Sequence, residues 1–236
     1  MKGRIRIPHW KWLVAGLVVV VIAVVGGPFV YIHFIEGKAP APLALASPSA
    51  SSTTRTTTNQ TSGQQDGTWK ATNGSVVGYR VKEVLFGQSN TAVGRTSSIT
   101  GSITVDGTTV SAGTFTVDMT TVTSDQSRRD GQFNGRIMET STFPTATFSL
   151  TQPITLGSIP GQEVTRTFQA KGNLTLHGVT RTVLFSLTAR YTGSTIQVAG
   201  SIPITFADWN IPNPSFGPVT TEDHGILEFS LNFVHA

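Results

Sequence analysis

The chain contains no cysteine among its 236 residues. This absence excludes disulfide bonds, thiol nucleophiles, cysteine-ligated zinc and a lipid anchor on an N-terminal cysteine, although it does not identify the redox compartment. The folded part also lacks an excess of either charge, because residues 67–236 carry 11 Lys/Arg and 11 Asp/Glu. A nucleic-acid-binding domain concentrates positive charge on its folded surface, so the sequence predicts no nucleic-acid partner.

The excess positive charge lies at the N-terminus, directly before an apolar run. Residues 1–12 include Lys2, Arg4, Arg6 and Lys11, and Leu13–Ile35 follows without a single Lys, Arg, Asp or Glu. A helix of that length, at about 1.5 Å per residue, spans a hydrocarbon core of about 30 Å. The sequence therefore predicts a single-pass transmembrane signal-anchor in the cell membrane, with residues 1–12 cytoplasmic and the C-terminal domain extracytoplasmic.

A cleaved signal peptide is the alternative interpretation of this segment. Its apolar core would be Leu13–Val25 and its cleavage site Ala44-Leu45-Ala46, an unusually long way downstream, so the uncleaved anchor is favoured. Residues 36–66 are rich first in Pro and Ala and then in Ser, Thr and Gln. This composition, without apolar periodicity, predicts a disordered linker that holds the domain at residues 67–236 close to the membrane.

The domain itself shows alternation of apolar and polar residues, most clearly in Thr182–Tyr191 and Leu227–Phe233. Strand side chains alternate faces, so each such segment predicts a strand with one apolar face. Short strands separated by turn signals such as Asp106-Gly107 predict an all-β antiparallel sandwich or barrel, of which we favour the barrel. A membrane-inserted barrel would alternate similarly, but it is not expected behind an apolar anchor. The predicted strands are Thr68–Ala71, Ser75–Leu85, Ala92–Val105, Val110–Met119, Thr145–Thr151, Thr165–Leu176, Val179–Tyr191, Thr195–Thr205 and Ile226–Val234.

One segment, Ser124–Met138, interrupts the alternation with charges and glycines. It predicts a short helix capped by Ser124 or Asp125. Phe133 and Ile137 are four residues apart and would share its buried face. A helix of this kind across one end of the barrel would act as a plug or lid.

Two motifs of the domain at residues 67–236 resemble the YceI-like family, the lipid-binding β-barrels often called polyisoprenoid-binding proteins. The first is Ser127–Phe133 (SRRDGQF), which continues through Ile137-Met138 to Phe143–Phe148 (FPTATF). The second is Gly172–Arg181 (GNLTLHGVTR), similar to the family's Leu-Thr-x-His-Gly-Val-Thr turn. The resemblance covers residues 67–236. It implies a lipocalin-like antiparallel barrel that holds a long isoprenoid or similar amphiphile in an internal tunnel, with no established enzymatic activity and no cofactor.

The expected tunnel residues are large and apolar, and they would serve equally well in an ordinary filled core. An eight-stranded barrel lies at the boundary between a filled interior and one that holds a small ligand. Small inward residues, namely Ala146, Ala170, Ala189 and Gly200, favour the cavity. The residues that we expect to contact the lipid tail are Phe115, Phe148, Phe168, Phe185, Leu187, Phe229 and Leu231.

His177 and Asp130 are the candidate contacts for the lipid head group. The more ordinary roles are favoured for both: a turn residue bonded to nearby backbone for His177, and a fastener of the short helix for Asp130. The histidines of the domain do not form a metal-ligand spacing, so no metal site is expected.

We therefore expect a membrane-tethered binding or carrier protein for an isoprenoid lipid, such as a quinone or a polyprenyl chain, that performs no catalysis. One alternative is an enzyme that acts on such a lipid through Asp130, His177 or Glu222–His224. Another is a lipid-free structural module that binds a protein through its outer surface. Whether the chain forms a homodimer stays open.

Overall fold

The structure is a computed structural model that describes residues 9–22, 27, 39–45, 65–85, 87–158, 160–217 and 219–236. Its helices are α1 (His9–Val21) and α2 (Ser127–Gln132), which continues into a π-helical turn at Phe133–Ile137. Single 3₁₀ turns occur at Met119–Thr121 and Phe206–Trp209. The strands are β1 Gly67–Ala71, β2 Val76–Leu85, β3 Gln88–Thr96, β4 Ile99–Asp106, β5 Thr109–Asp118, β6 Thr123–Ser124, β7 Thr145–Leu150, β8 Ile154–Thr155, β9 Thr165–Leu176, β10 Val179–Tyr191, β11 Thr195–Thr205, β12 Val219–Thr221 and β13 His224–His235.

Eight antiparallel strands close into a barrel in the order β1-β4-β5-β7-β9-β10-β11-β13. The ring closes where β13 returns to β1, with Phe233 opposite Ala71 and His235 opposite Trp69. Further along, β13 pairs with β2, which in turn pairs with β3. Closure satisfies backbone groups that an open sheet would leave unpaired at its edges. The predicted all-β antiparallel barrel with one short helix is confirmed.

The two ends of the barrel differ. One end, called the helix end, carries α2, the β9–β10 turn at His177-Gly178 and the start of β13 at His224. The opposite end, called the far end, is covered by Trp69, which is only 2% exposed. Its ring contacts Tyr191 and His235 edge-to-face at centroid distances of 6.0 and 5.1 Å. The far end is therefore packed with aromatic side chains, whereas the helix end is covered by a helix and loops.

The prediction of one strand over Ala92–Val105 is wrong, because the structure has two strands there, β3 and β4. Between them the Ser98 amide donates to Thr96 Oγ1 at 3.0 Å, and the Ile99 amide donates to the Ser97 carbonyl at 2.9 Å. These local bonds replace the ladder bonds that would continue the strand. The break lets β3 pair with β2 while β4 pairs with β1.

The N-terminal third is described in part. Helix α1 begins at His9 and ends at Val21, and within the described residues no helix is long and apolar enough to cross a membrane. The remainder of the predicted transmembrane segment, at 23–26 and 28–35, lies outside the described residues, as do residues 1–8 of the basic tail and residues 36–38 and 46–64 of the linker. Residues 39–45 do not match a disordered linker, because they form hydrogen bonds with the outside of the barrel.

Candidate functional site: the barrel cavity

The interior of the barrel is a cavity with a volume of about 940 Å³. Its wall consists of the apolar residues that alternate along the barrel strands. Many of them, including Phe115, Leu187 and Val198, are only partly buried although they point inward. They stay accessible because they face empty space across the lumen. The barrel is therefore hollow, and its interior is not filled by its own side chains.

All seven residues predicted to contact a lipid tail line this cavity, and so do Ala146, Ala170 and Ala189. Four of the phenylalanines form a continuous belt across β5, β7, β10 and β13. Neighbouring ring centroids in this belt lie 6.4, 5.6 and 5.8 Å apart. The belt gives the middle of the cavity a wall of aromatic rings, and its members in order are Phe115, Phe148, Phe185 and Phe229.

Glycines explain how large rings can line the lumen without filling it. Gly200 is the direct cross-strand partner of Phe229, and a Cβ on Gly200 would lie 2.6 Å from Cζ of that ring. A Cβ on Gly172 would lie 2.2 Å from Cζ of Phe148. Each ring thus occupies the space above a glycine and lies against the wall. The contacts show that these two glycines accommodate the rings.

The cavity wall carries polar groups at both ends: Gln65 and Arg190 line the far end, and a larger set lines the helix end. Glu83, Gln126, Arg128, Arg129 and Gln132 all line the cavity there. Arg129 forms ion pairs with Glu83, at 3.3 Å, and with Asp125. Arg128 is exposed, and its guanidinium takes no part in these two ion pairs. This end can therefore meet a polar or anionic group, while the phenylalanine belt between the two ends meets hydrocarbon.

The rim of the cavity lies at the same end. Phe216 lines the cavity yet is 56% exposed, which places it at an opening. Arg136, in the π-helical turn after α2, donates to the Pro214 carbonyl at 2.9 Å and lies 5.7 Å from the centroid of the Phe216 ring. The helix and the loop that carries Phe216 are thus connected and form the rim together.

Tyr79 lies between the apolar and polar parts of the cavity. Its ring stacks on Phe133 at a centroid distance of 5.1 Å and an interplanar angle of 12°. It packs directly over Gly94, where a Cβ would be 2.3 Å from the ring. Burial raises the pKa of the Tyr79 hydroxyl well above its ordinary value, and the positive charge of Arg129 opposes that shift. The hydroxyl therefore stays protonated and can donate a hydrogen bond into the cavity.

Asp130 does not line the cavity. Its Oδ1 accepts hydrogen bonds from the Ser124 amide at 2.8 Å and from Ser124 Oγ at 2.6 Å. Asp130 therefore fastens α2 to β6. The predicted cap at Ser124 or Asp125 is wrong: the residue before the helix is Gln126, which makes no side-chain capping bond.

His177 also lies away from the cavity, at the β9–β10 turn. Its φ of 49° is in the left-handed region, and its ring packs on Phe143 at a centroid distance of 4.5 Å. Nδ1 lies 3.3 Å from the Trp209 carbonyl oxygen, and Nε2 lies 4.0 Å from Glu139 Oε2. His177 therefore joins the turn to two neighbouring segments and is a structural residue in this geometry.

The remaining candidate for chemistry is Glu222–His224 beside β12. His224 lies 3.2 Å from a carboxylate oxygen of Glu222 and 2.8 Å from one of Asp223. The hydrogen bond with His224 lowers the pKa of the exposed Asp223. In the part of the chain that the structure describes, no group of three His, Asp or Glu side chains could hold a metal ion. This segment has the features of a solvated loop.

A family model described as YceI-like domain matches residues 69–233. The chain belongs to the YceI-like family. Among solved structures, this YceI-like chain is similar to a polyisoprenoid binding domain from Saccharophagus degradans implicated in plant cell wall breakdown, with a TM-score of 0.59 and 17% identity over 72% of this chain and 99% of that one. It is also similar to BcnA of Burkholderia cenocepacia, with a TM-score of 0.50 and 20% identity over 65% and 95% of the two chains. At these identities the structures show a shared fold. Among curated proteins, none matches the chain.

The YceI-like motifs include α2 and the β9–β10 turn at the helix end, and they extend along β7 and β9 to Phe148 and Gly172 at the belt. Sequence reasoning expected polar groups near the helix and the His177 turn, but it named Asp130 and His177 and missed the residues that line the cavity there, although strand parity carried a signal for one of them. Val77, Tyr79, Val81, Glu83 and Leu85 occupy alternate positions of β2, and all of them line the cavity. A charged residue, Glu83, on an inward face that is otherwise formed by valine, tyrosine and leucine indicates a polar site. Arg128 and Arg129 had no such signal, because their positions depend on how α2 packs.

Proposed function

We propose that this protein binds an isoprenoid or similar amphiphilic lipid inside the barrel and performs no catalysis. The observation that carries the proposal is the apolar cavity of about 940 Å³, which is at the upper end of the range of about 300–1,000 Å³ for ligand pockets. Each CH₂ group transferred from water into such a wall contributes about 0.8 kcal/mol. A lipid tail of many carbons would therefore be held tightly without any covalent step.

The accessibility of charge along the cavity supports one orientation of the ligand, because Arg190 at the far end is buried and ion-paired with Glu163, whereas Arg128 at the helix end is exposed. The tail would lie along the phenylalanine belt toward the aromatic far end. The head group would lie near Tyr79, Arg128 and Gln132, because these side chains offer hydrogen-bond donors at the rim. A quinone carbonyl or the phosphate of a polyprenyl carrier fits such donors. His177 and Asp130 would support this site indirectly, through the turn and the helix that they hold.

Membrane tethering is part of the same proposal. It is supported by the four basic residues before the apolar run and by the lack of charge within Leu13–Ile35. A barrel anchored in the cell membrane, on its extracytoplasmic side, would take up its ligand from the adjacent lipid. Fractionation of cells that express the full chain, followed by protease treatment of intact cells or spheroplasts, tests this placement. Protection of the barrel from an added protease would contradict it.

Organic extraction of the purified full-length protein, followed by mass spectrometry, tests the binding function. We expect close to one isoprenoid-type lipid per chain. Extracts of properly folded protein that contain no stoichiometric lipid, together with no uptake of added quinone or polyprenyl phosphate, would contradict the proposal. Sedimentation of the same sample distinguishes a monomer from a homodimer.

A pair of neighbouring substitutions separates the cavity from the outer surface. Gly113 lines the cavity, and a Cβ there would have no neighbour closer than 3.5 Å. Gly113→Leu should therefore project a side chain into the lumen and reduce bound lipid several-fold without loss of the fold. Ala112 is the adjacent, exposed residue, so Ala112→Leu is the matched control and should retain lipid fully. Equal lipid content in both variants would contradict the cavity as the binding site.

A further inference from the structure

A second feature lies on the outside of the barrel, on the surface opposite the cavity wall. Glu228 of β13 forms ion pairs with Arg80 Nε of β2 at 3.4 Å and with Arg95 Nη2 of β3 at 2.8 Å. Although Glu228 points outward, it is only 2% exposed. A carboxylate buried to this extent needs partners and a cover.

Gly78 makes this ion cluster possible. Gly78 is the cross-strand partner of Glu228 on one side and of Arg95 on the other. A Cβ at Gly78 would lie 2.7 Å from Cγ of Arg95 and 2.3 Å from the Gly94 carbonyl oxygen. The Arg95 side chain therefore crosses β2 over a glycine and reaches Glu228 on the far side of that strand.

The cover is a short piece of the predicted linker, residues 39–45. This segment has no polar side chain, so the hydrogen bonds described between it and the barrel use its backbone. Two guanidinium groups donate to carbonyl oxygens, and a carboxylate accepts from an amide. The bonds are Arg80 Nη2 to the Pro40 carbonyl (2.7 Å), Arg95 Nη2 to the Ala41 carbonyl, the Leu43 amide to Glu228 Oε2 (3.2 Å) and Ser230 Oγ to the Ala44 carbonyl (3.4 Å).

We infer that the surface formed by Arg80, Arg95, Glu228 and Ser230 is a docking site for residues 39–45 of the same chain. We call it the linker-docking site. Residues 39–45 suit this site chemically. Pro40 and Pro42 have no backbone N–H, so carbonyl oxygens outnumber N–H donors in the segment, and the two arginines supply donors to them. Proline also favours the extended backbone before binding, which lowers the entropy lost on docking.

Docking changes the effective length of the connection between α1 and the barrel. Without docking, residues 22–66 link α1 to β1, and with docking only residues 22–38 separate α1 from the barrel surface. At a maximum of about 3.5 Å per residue, the reach falls from roughly 160 Å to roughly 60 Å. The site therefore shortens the connection and sets the point on the barrel surface, at β2, β3 and β13, from which it leaves. This inference is independent of the proposed lipid.

The absence of cysteine allows a clean test by spin labelling. Cysteines introduced at Ala44, which is exposed, and at Leu184, which is exposed on the outer face of β10, would be the only labelled positions in the full-length protein. We expect pulsed electron paramagnetic resonance to give one narrow distance distribution between the two labels. A distribution as broad as that of a free chain would overturn the inference.

Two linker substitutions test the contacts while leaving the barrel unchanged. Leu43→Pro removes the amide that donates to Glu228 and should broaden the distribution several-fold. Ala41→Pro adds a proline but keeps the carbonyl that accepts from Arg95, so it is the matched control and should stay narrow. A narrow distribution for Leu43→Pro would overturn the role of this contact.

Docking of residues 39–45 on the barrel of a second copy of the chain would give a different result. Chains labelled only at Ala44→Cys are mixed with chains labelled only at Leu184→Cys, with unfolding and refolding to allow exchange. Docking within one chain gives no specific distance in this mixture. A specific distance in the mixture would show docking in trans and would overturn the assignment to the same chain.

Discussion

Glycine and phenylalanine positions decide together whether the interior stays open. In the belt, rings of Phe148 and Phe229 lie over Gly172 and Gly200, where any larger residue would push them inward. A barrel of this size has room for either a filled core or a ligand. The pairing of Phe148 and Phe229 with glycines therefore helps to keep the interior open, which the number of apolar residues alone would not predict.

At this scale we predict that Gly172→Ala is destabilising. A Cβ there would lie 2.2 Å from Cζ of Phe148 and 2.6 Å from the Ser149 carbonyl oxygen, so both the ring and the backbone would have to move. We expect a loss of about 1–3 kcal/mol in the free energy of unfolding, measured by urea denaturation. Gly113→Ala is the control, because a Cβ there has ordinary contacts. It should be neutral or stabilising by about 0.4–1 kcal/mol; equal losses for both variants would contradict the explanation.

Among the elements, α2 is short and depends on contacts outside itself. A helix of six residues has little intrinsic stability, and Asp130 supplies two bonds that hold it to β6. Because α2 also contributes Arg128 and Arg129 to the cavity, its attachment should control access to the site.

We predict that Asp130→Ala releases the helix end while the barrel stays folded. Loss of hydrogen bonds to a charged acceptor costs about 1.5–3 kcal/mol, which should appear as faster amide exchange confined to residues 124–138 and faster release of bound lipid. Asp125→Ala removes only an exposed i,i+4 ion pair with Arg129, worth about 0.3–0.5 kcal/mol. If Asp125→Ala and Asp130→Ala accelerate exchange equally, Asp130 is not the fastener.

The same scale shows what the sequence could and could not predict. The strands Thr165–Leu176, Val179–Tyr191 and Thr195–Thr205 agree with their predicted bounds to the residue, because uninterrupted alternation lies between clear turn signals. The break after Thr96 was missed, since it depends on hydrogen bonds of polar residues that leave the hydrophobic pattern unchanged. The alternation of side chains along the strands placed the seven expected tail-contact residues on the inward face, where they line the cavity.

Other features depend on packing between distant segments and could not be read from local patterns. The polar rim depends on where α2 lies relative to β2. Docking of residues 39–45 depends on three strands that place Arg80, Arg95 and Glu228 together. Its Pro/Ala composition is typical of linkers, so the sequence alone favoured disorder.

For the whole molecule, stability depends on closure of the ring between β1 and β13. Phe233 is only 1% exposed at this junction, and the Ala236 amide donates to the Thr68 carbonyl at 2.9 Å. Four residues at the C-terminus therefore connect the first and last strands of the domain.

Deletion of Phe233–Ala236 should abolish the cooperative unfolding transition. Loss of a buried phenylalanine alone costs about 3–5 kcal/mol, which is a large part of a typical total of about 5–15 kcal/mol. Deletion of Ala236 alone removes one backbone bond and should lower the midpoint only slightly. A cooperative transition in the longer deletion, followed by circular dichroism on heating, would show that the ring does not depend on this junction.

The position of β13 also constrains when cargo can be loaded. Along the chain β13 is the last of the barrel strands, and it is flanked by β1, β2 and β11, so the ring is incomplete until this strand has emerged from the ribosome and, in an exported protein, from the translocation channel. A lipid of the proposed kind can thus be enclosed only after β13 has joined the ring. Biogenesis and loading are consequently two separate events, in that order.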